Sequence, residues 1–339
     1  MLLRAFTPLA LISLGLVGAG GLAFHDLSTG HLRLHFTTPA HIPFPASNPY
    51  TAAKLAFGRA AFYDPKLSGD GSVACAGCHI PANGFTDHLA ASRGVTGRMM
   101  ALRTPTLIDA AWGQIYGWEG KFPSLSAVVT GAMVNPINMA VTEASLKKTM
   151  KDAPNLRRGY AAAFPGAAVN IRNVSRGLAT YVRTLVAGPA PFDRWRHGHV
   201  HAISAAAKRG FKLFEGKARC AICHKGFAFT DRAFHDIGAS TGKDLGRGAQ
   251  FPTSVKLQHA FKTPTLRDVA LHAPYMHNGA LPTLTAVVNL YNKGGIKRSS
   301  LDDNIHPLGL SKQDVQDIVA FLQSLTAMPG GRQTAASLR

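Results

Sequence analysis

The chain states part of itself twice. Residues 103–129 read R-T-P-T-L-I-D-A-A-W-G-Q-I-Y-G-W-E-G-K-F-P-S-L-S-A-V-V, and residues 262–288 read K-T-P-T-L-R-D-V-A-L-H-A-P-Y-M-H-N-G-A-L-P-T-L-T-A-V-V. They align without a gap at an offset of 159, with 13 identities in 27 columns. A duplicated segment must fold twice, so the architecture contains two like units. Upstream, residues 54–62 and 206–214 each carry apolar residues at helical spacing and lead into a cysteine-containing loop. The shared T-P-T-L reads as extended, because the residue before proline is pushed away from the helical region. The shared P-[ST]-L-[ST]-A-V-V reads as a helix start capped by its hydroxyl residue. Residues 311–325 form a further helix, capped by Ser311, with Val315, Ile318, Val319, Leu322 and Leu325 along one face. Strand-like alternation is scarce.

The loops that lead each unit are chemically specific. All four cysteines of the 339-residue chain sit in two C-x-x-C-H motifs, Cys75-Ala76-Gly77-Cys78-His79 and Cys220-Ala221-Ile222-Cys223-His224. This is the attachment signature of c-type haem: two thiols bond to the porphyrin vinyl groups, and the adjacent imidazole reaches the iron. A zinc site would need the pairs to converge, and they lie 145 residues apart on different repeats. A thioredoxin-like redox pair would need a βαβ context that is missing here. Two covalently bound haems follow. The expected fold is mainly α, with two tandem cytochrome c-like domains related by duplication, over residues 34–190 and 200–328. Their boundary falls in 187–201, where G-P-A-P and H-G-H-V-H interrupt the helical pattern.

Residues 1–24 have the order of an export signal: Arg4, then an uncharged run from Ala5 to Phe24. That run is also near the ~20 residues that span a bilayer, so a cleaved signal peptide and an inner-membrane anchor are both open. Either places the working part in the periplasm. Apolar residues at 46% and charged residues at 16% exclude a disordered chain. The 37 Lys and Arg exceed the 18 Asp and Glu by 19. That excess partly offsets haem propionates and points to an acidic redox partner or an anionic membrane surface. Export argues against nucleic acid.

Each haem iron has a second axial position. In the second half Met276, His277 and Tyr291 are candidates, since thioether, imidazole and phenolate all ligate iron. Tyr291 also reads as a half-buried helix aromatic. Its counterpart 159 residues earlier is Ala132, which ligates nothing, so a Tyr291 ligand implies that the first haem is open on its distal side.

The two C-x-x-C-H repeats, R-T-P-T-L ahead of W-E-G-K, and T-P-T-L-R-D…A-P-Y-M-H-N-G…T-L…Y together resemble the di-haem cytochrome c peroxidase and MauG family over about residues 45–326. The resemblance implies that the N-terminal haem, on His79, reacts with hydrogen peroxide and that the C-terminal haem, on His224, exchanges electrons. The implied ligand column falls on Tyr291, where peroxidases carry Met and MauG-like enzymes Tyr. Trp118 matches the family tryptophan between the haems, where a large aromatic assists electron transfer. The family's distal histidine falls in residues 92–97, which offer Val95 and no histidine, so the site is expected to be permanently open.

Some positions depart from the family. Its distal Gln and Glu align with Val128 and Asn138; Asn138 can hydrogen-bond a ligand but cannot act as acid or base, and Val128 can do neither. Peroxide cleavage then suffers unless another group, such as Glu143 or a water, substitutes. The family's inter-domain calcium uses a side chain where Arg103 stands, and a guanidinium would repel the ion, so calcium is expected to be absent. Arg267 reads as a fork donor to a haem propionate or as an ordinary ion pair, and His197, His199 and His201 as an exposed linker. The functional expectation is a periplasmic oxidoreductase that uses peroxide to oxidise a small redox protein or a protein substrate. The missing Gln and Glu keep a non-catalytic electron carrier or ligand sensor as alternatives.

Overall fold

The computed structural model describes residues 36–327, so the export segment read at 1–24 lies outside them. The main helices are α1 (Ala52–Tyr63), α2 (Leu125–Val134), α3 (Glu143–Asp152), α4 (Pro154–Ala163), α5 (Ile171–Arg183), α6 (Pro191–Arg196), α7 (Ala205–Glu215), α8 (Leu284–Lys293) and α9 (Lys312–Gln323). All but α4 and α6 begin where a side-chain oxygen accepts the N–H of the third helical residue: Thr51, Ser124, Thr142, Asn170, Ser204, Thr283 and Ser311. The other two start on proline, whose fixed φ suits a first turn. Among the described residues no helix is long and apolar enough to cross a membrane.

The duplication is a duplication in space. Helix α1 crosses α5, and α7 crosses α9, each pair so closely that a glycine is needed. A Cβ on Gly58 would lie 2.0 Å from the carbonyl oxygen of Gly177, and one on Gly210 would lie 1.9 Å from that of Asp317. Phe57, Phe62, Leu146, Leu178 and Val182 are buried in the first core, and Phe211, Phe214, Phe229 and Phe321 in the second. Asp109 and Asp268 both take the left-handed backbone with φ 58°, and they accept the N–H of Ala187 and of Ala327. The hydroxyls of Thr86 and Thr230 donate to the carbonyls of Thr104 and Thr263. The halves meet by exchanging one bond in both directions: the Arg103 N–H donates to the His277 carbonyl and the Lys262 N–H to that of Trp118, each at 2.8 Å. Arg103 and Lys262 are repeat mates, as are Trp118 and His277, so this reciprocal pairing is that of a local two-fold axis.

Each half adds something the other lacks. The first inserts α3 and α4. The second lengthens the segment after Phe229, so the offset grows from 144 at Phe85/Phe229 to 159 at Thr104/Thr263. That insertion carries an antiparallel pair, β1 (Phe234–His235) with β2 (Phe261–Lys262).

Two features refine the domain reading. The 187–201 segment, read as an interruption between domains, contains α6, started by Pro191 and by the Asp193 carboxylate accepting the Ala190 N–H at 2.9 Å. Its Phe192 is fully buried in the second core. Phe36, placed with the first domain by its number, stacks on Phe229 at 4.8 Å and meets Phe192 edge-on at 5.7 Å in that same second core.

Candidate di-haem site

Each C-x-x-C-H folds as one helical turn closed by its histidine: the His79 N–H donates to the Cys75 carbonyl at 2.8 Å and the His224 N–H to that of Cys220 at 2.9 Å. The next turn returns a phenylalanine carbonyl to the ring. Nδ1 of His79 bonds to the Phe85 carbonyl at 3.0 Å, and Nδ1 of His224 to that of Phe229 at 2.9 Å. A carbonyl only accepts, so Nδ1 carries the proton and Nε2 is left as the free lone pair. Burial lowers both imidazoles below the ordinary histidine range and keeps them neutral, as ligation requires. It also pushes the thiols of Cys75 and Cys220 up to about 12, so neither offers a ready thiolate to a free metal.

Each motif opens on a cavity. The first, about 520 Å³, is lined by Cys75, Cys78 and His79, and also by Val128, Ala132, Asn135 and Asn138. The second, about 180 Å³, is lined by Cys220, Cys223 and His224, together with Met276, His277 and Tyr291. Helix α8 carries Tyr291, whose phenol is raised above its ordinary range by burial and then by the nearby Cys220 and Cys223. Its repeat mate Ala132 lies on the wall of the first cavity. His277 is engaged elsewhere: its Nε2 meets the Asp244 carboxylate at 2.6 Å and its ring stacks on Phe261 at 3.5 Å.

Trp118 borders both cavities. Its Nε1 donates to the Arg103 carbonyl at 2.8 Å. The insertion of the second half grips the residues that follow: Arg247 donates to the carbonyls of Glu119 and Gly120 at 3.2 and 2.9 Å, and Gln250 to Glu119 at 2.8 Å. Gly120 has φ 70°, and a Cβ there would lie 2.1 Å from the Arg247 guanidinium.

The walls fit haem carboxylates. Arg103 and Arg232 both line the first cavity, and each has a buried guanidinium N–H, on Nε and Nη2 respectively, without a hydrogen-bond partner. A propionate supplies the acceptor such donors need. Arg267, a sequence candidate for that role, is on the wall of neither cavity; it donates to Asp193 at 2.7 Å and to the Phe227 carbonyl at 2.7 Å.

Glu143 is a correction. Its carboxylate accepts the N–H of Ile171 at 3.1 Å, outside the cavity, and so finishes the start of α5. The carboxylates on the first cavity's wall are Asp109 and Glu119. Asp109 is held by the Ala187 N–H and raised to about 6 by burial. Glu119 pairs with Lys121 and is mostly covered. Sequence reasoning passed over Glu119, although it adjoins Trp118. It also passed over Tyr275, which borders both cavities and donates to the Val269 carbonyl at 3.2 Å. Val95 is buried, its N–H donating to the Asn138 carbonyl at 2.9 Å.

His197, His199 and His201 lie in an exposed turn. Among the described residues the one grouping with metal-ligand spacing is Cys223, Asp231 and His235. Cys223 already belongs to the second C-x-x-C-H. His235 is held between Asp231 and Asp302, at 3.0 and 2.6 Å, and is pushed up to about 11, chiefly by Asp231.

Two tethered imidazoles, each beside a C-x-x-C pair and a cavity, define a di-haem c-type cytochrome. The family model described as di-haem cytochrome c peroxidase matches residues 52–201, and the cytochrome c model matches residues 207–326. The methylamine utilization protein MauG of Methylorubrum extorquens is 44% identical over 304 residues, 88% of this chain and 85% of that one. The cytochrome c peroxidase IdrP1 of Denitromonas iodatirespirans is 34% identical, over 84% of each chain. The crystal structure of a MauG-like protein associated with microbial copper homeostasis superposes with a TM-score of 0.78 at 25% identity, covering 90% of this chain and 97% of that one. The chain belongs to the di-haem cytochrome c peroxidase and MauG family, and is an oxidoreductase with two c-type haems.

Proposed function

We propose that this chain is an exported enzyme that meets hydrogen peroxide in the first cavity, shares the oxidising equivalents with the second haem through Trp118, and oxidises a redox protein or a protein side chain. The observation that carries this reading is Trp118 on the wall of both cavities, its indole held by Arg103 and its carbonyl by Lys262. The haems, when bound, supply the two-electron reduction of peroxide and one-electron exchange between centres.

The chain's own residues do the rest. His79 and His224 hold the irons, oriented by the carbonyls of Phe85 and Phe229. Tyr291 is the second ligand in the second cavity, and Ala132 leaves the matching place in the first cavity open. Asn138 offers a hydrogen bond to a bound ligand. Glu119, on that wall and next to Trp118 in the chain, is the carboxylate assigned to move a proton there. Arg103 donates to the carbonyls of Asp87 and His272, one on each half, and serves as the inter-domain cation in place of calcium.

Rapid mixing of the diferric holoprotein with hydrogen peroxide, following both haem spectra, tests the reading. Both haems are expected to respond. In Trp118→Phe the first should respond while the second lags by about tenfold or more, near ~1.4 kcal/mol of barrier. Equal rates in wild type and Trp118→Phe would overturn the role of the tryptophan. Val128 and Asn138 on the cavity wall favour a second reading, a non-catalytic electron carrier or ligand sensor. A first haem inert to peroxide would select it.

A further inference from the structure

Rows of aromatic rings lead away from both haem cavities, and they differ in one respect. In the first half Phe85, whose carbonyl holds His79, faces Phe62 on the cavity wall with ring centroids 6.3 Å apart. Phe62 in turn packs on Tyr181 at 5.1 Å and on Tyr63 at 5.2 Å. In the second half the matching rings are Phe229, Phe214 and Phe321, spaced at 6.1 and 4.9 Å. Core packing accounts for rings in both halves, and Phe321 shows that it needs no hydroxyl at this place.

Yet the first row ends in two phenols, with their oxygens 3.2 Å apart. The second ends in Phe321 and, at the place of Tyr63, Glu215. Tyr181 is buried and Tyr63 is 44% exposed. The pair therefore has one ring, Phe62, between it and the first cavity on one side and water on the other.

We propose that Tyr63 and Tyr181 form a second oxidation site, which delivers one-electron equivalents from the first cavity to small phenolic donors in solution. This rests on the reading of that cavity as peroxide-reactive. Tyr63 gives one electron past Phe62 to the oxidised first haem centre and its phenolic proton to water. The resulting phenoxyl radical is supported by its hydrogen bond with Tyr181. A phenol at the surface then returns one electron and one proton to Tyr63 and leaves as its own phenoxyl radical. One hydrogen peroxide, taking two electrons and two protons, consumes two phenols and yields two waters.

The holoprotein is mixed with hydrogen peroxide and p-cresol. Cresol oxidation is measured, the frozen mixture is examined by electron paramagnetic resonance, and a radical-trap adduct is mapped by mass spectrometry. A tyrosyl signal and an adduct on Tyr63 are expected. In Tyr63→Phe the adduct should vanish and cresol oxidation should fall by about fivefold or more, with the first haem's reaction with peroxide unchanged. Tyr181→Phe should weaken the radical while leaving Tyr63 labelled. If cresol oxidation is unchanged in Tyr63→Phe, or the adduct maps elsewhere, the second site is overturned and the peroxide-reactive cavity stands. If the wild-type haems do not respond to peroxide, both fail together.

Discussion

Tyr291 and Ala132 stand at the same place in the two repeats, one a phenol and the other a methyl group. An anionic phenolate oxygen favours ferric iron, so the second haem should have a low reduction potential. Tyr291→Phe is expected to free its second axial position, changing the absorption spectrum and raising the potential. An unchanged spectrum would move the ligand to Met276, since His277 is held by Asp244 and Phe261. On the first wall, general acid–base help is typically worth ~10²–10⁴-fold. Val128→Gln with Asn138→Glu should therefore speed the reaction with peroxide by about tenfold or more, and Glu119→Gln in the native background should slow it. Stopped-flow rates at the first haem check both. The C-x-x-C-H sites were legible in the sequence because covalent attachment dictates their spacing. The carboxylates of the first cavity were not: Glu143 is close to Asn138 in number, but it opens α3 and its carboxylate caps the start of α5, whereas Glu119 lines the cavity from a turn that local pattern does not reveal.

At the scale of elements, helices with a capping hydroxyl and a periodic face could be read directly, and α1, α2, α7, α8 and α9 lie where pattern and caps place them. Helix α6 was hidden because one turn and a half is too short for periodicity to register; its burial comes from a tertiary partner, the second core. The insertion between Phe229 and Thr263 was equally silent, yet it supplies Arg247, whose guanidinium lies 4.2 Å above the Phe234 ring and bonds the Glu119 and Gly120 carbonyls. Arg247→Ala removes these contacts, at a cost of about 1–3 kcal/mol. The expected sign is faster backbone hydrogen exchange at residues 118–121 and slower communication between the haems, with the C-x-x-C-H turns unaffected. Gly210→Ala should act differently: its Cβ meets the Asp317 carbonyl, so α7 and α9 must separate and the thermal midpoint of the second core should fall.

For the whole molecule, the reciprocal bonds between Arg103 and His277 and between Lys262 and Trp118 make the interface part of the duplication, and the guanidinium of Arg103 spans it. Chelation of divalent ions is therefore expected to leave the haem spectra and unfolding midpoint unchanged; loss of either would show that a cation other than Arg103 is required. The two-domain plan was evident from the 159-residue offset, whereas the seat of Phe36 was not, because a single apolar residue near the start of a chain carries no address. That seat has a consequence for manufacture. A polypeptide is made from its N-terminal end, so Phe36 is delivered long before Phe192, Phe211 and Phe229, against which it packs. Phe36 therefore cannot take its seat until the second core has been made, and a contact of the first described residue waits on residues far along the chain.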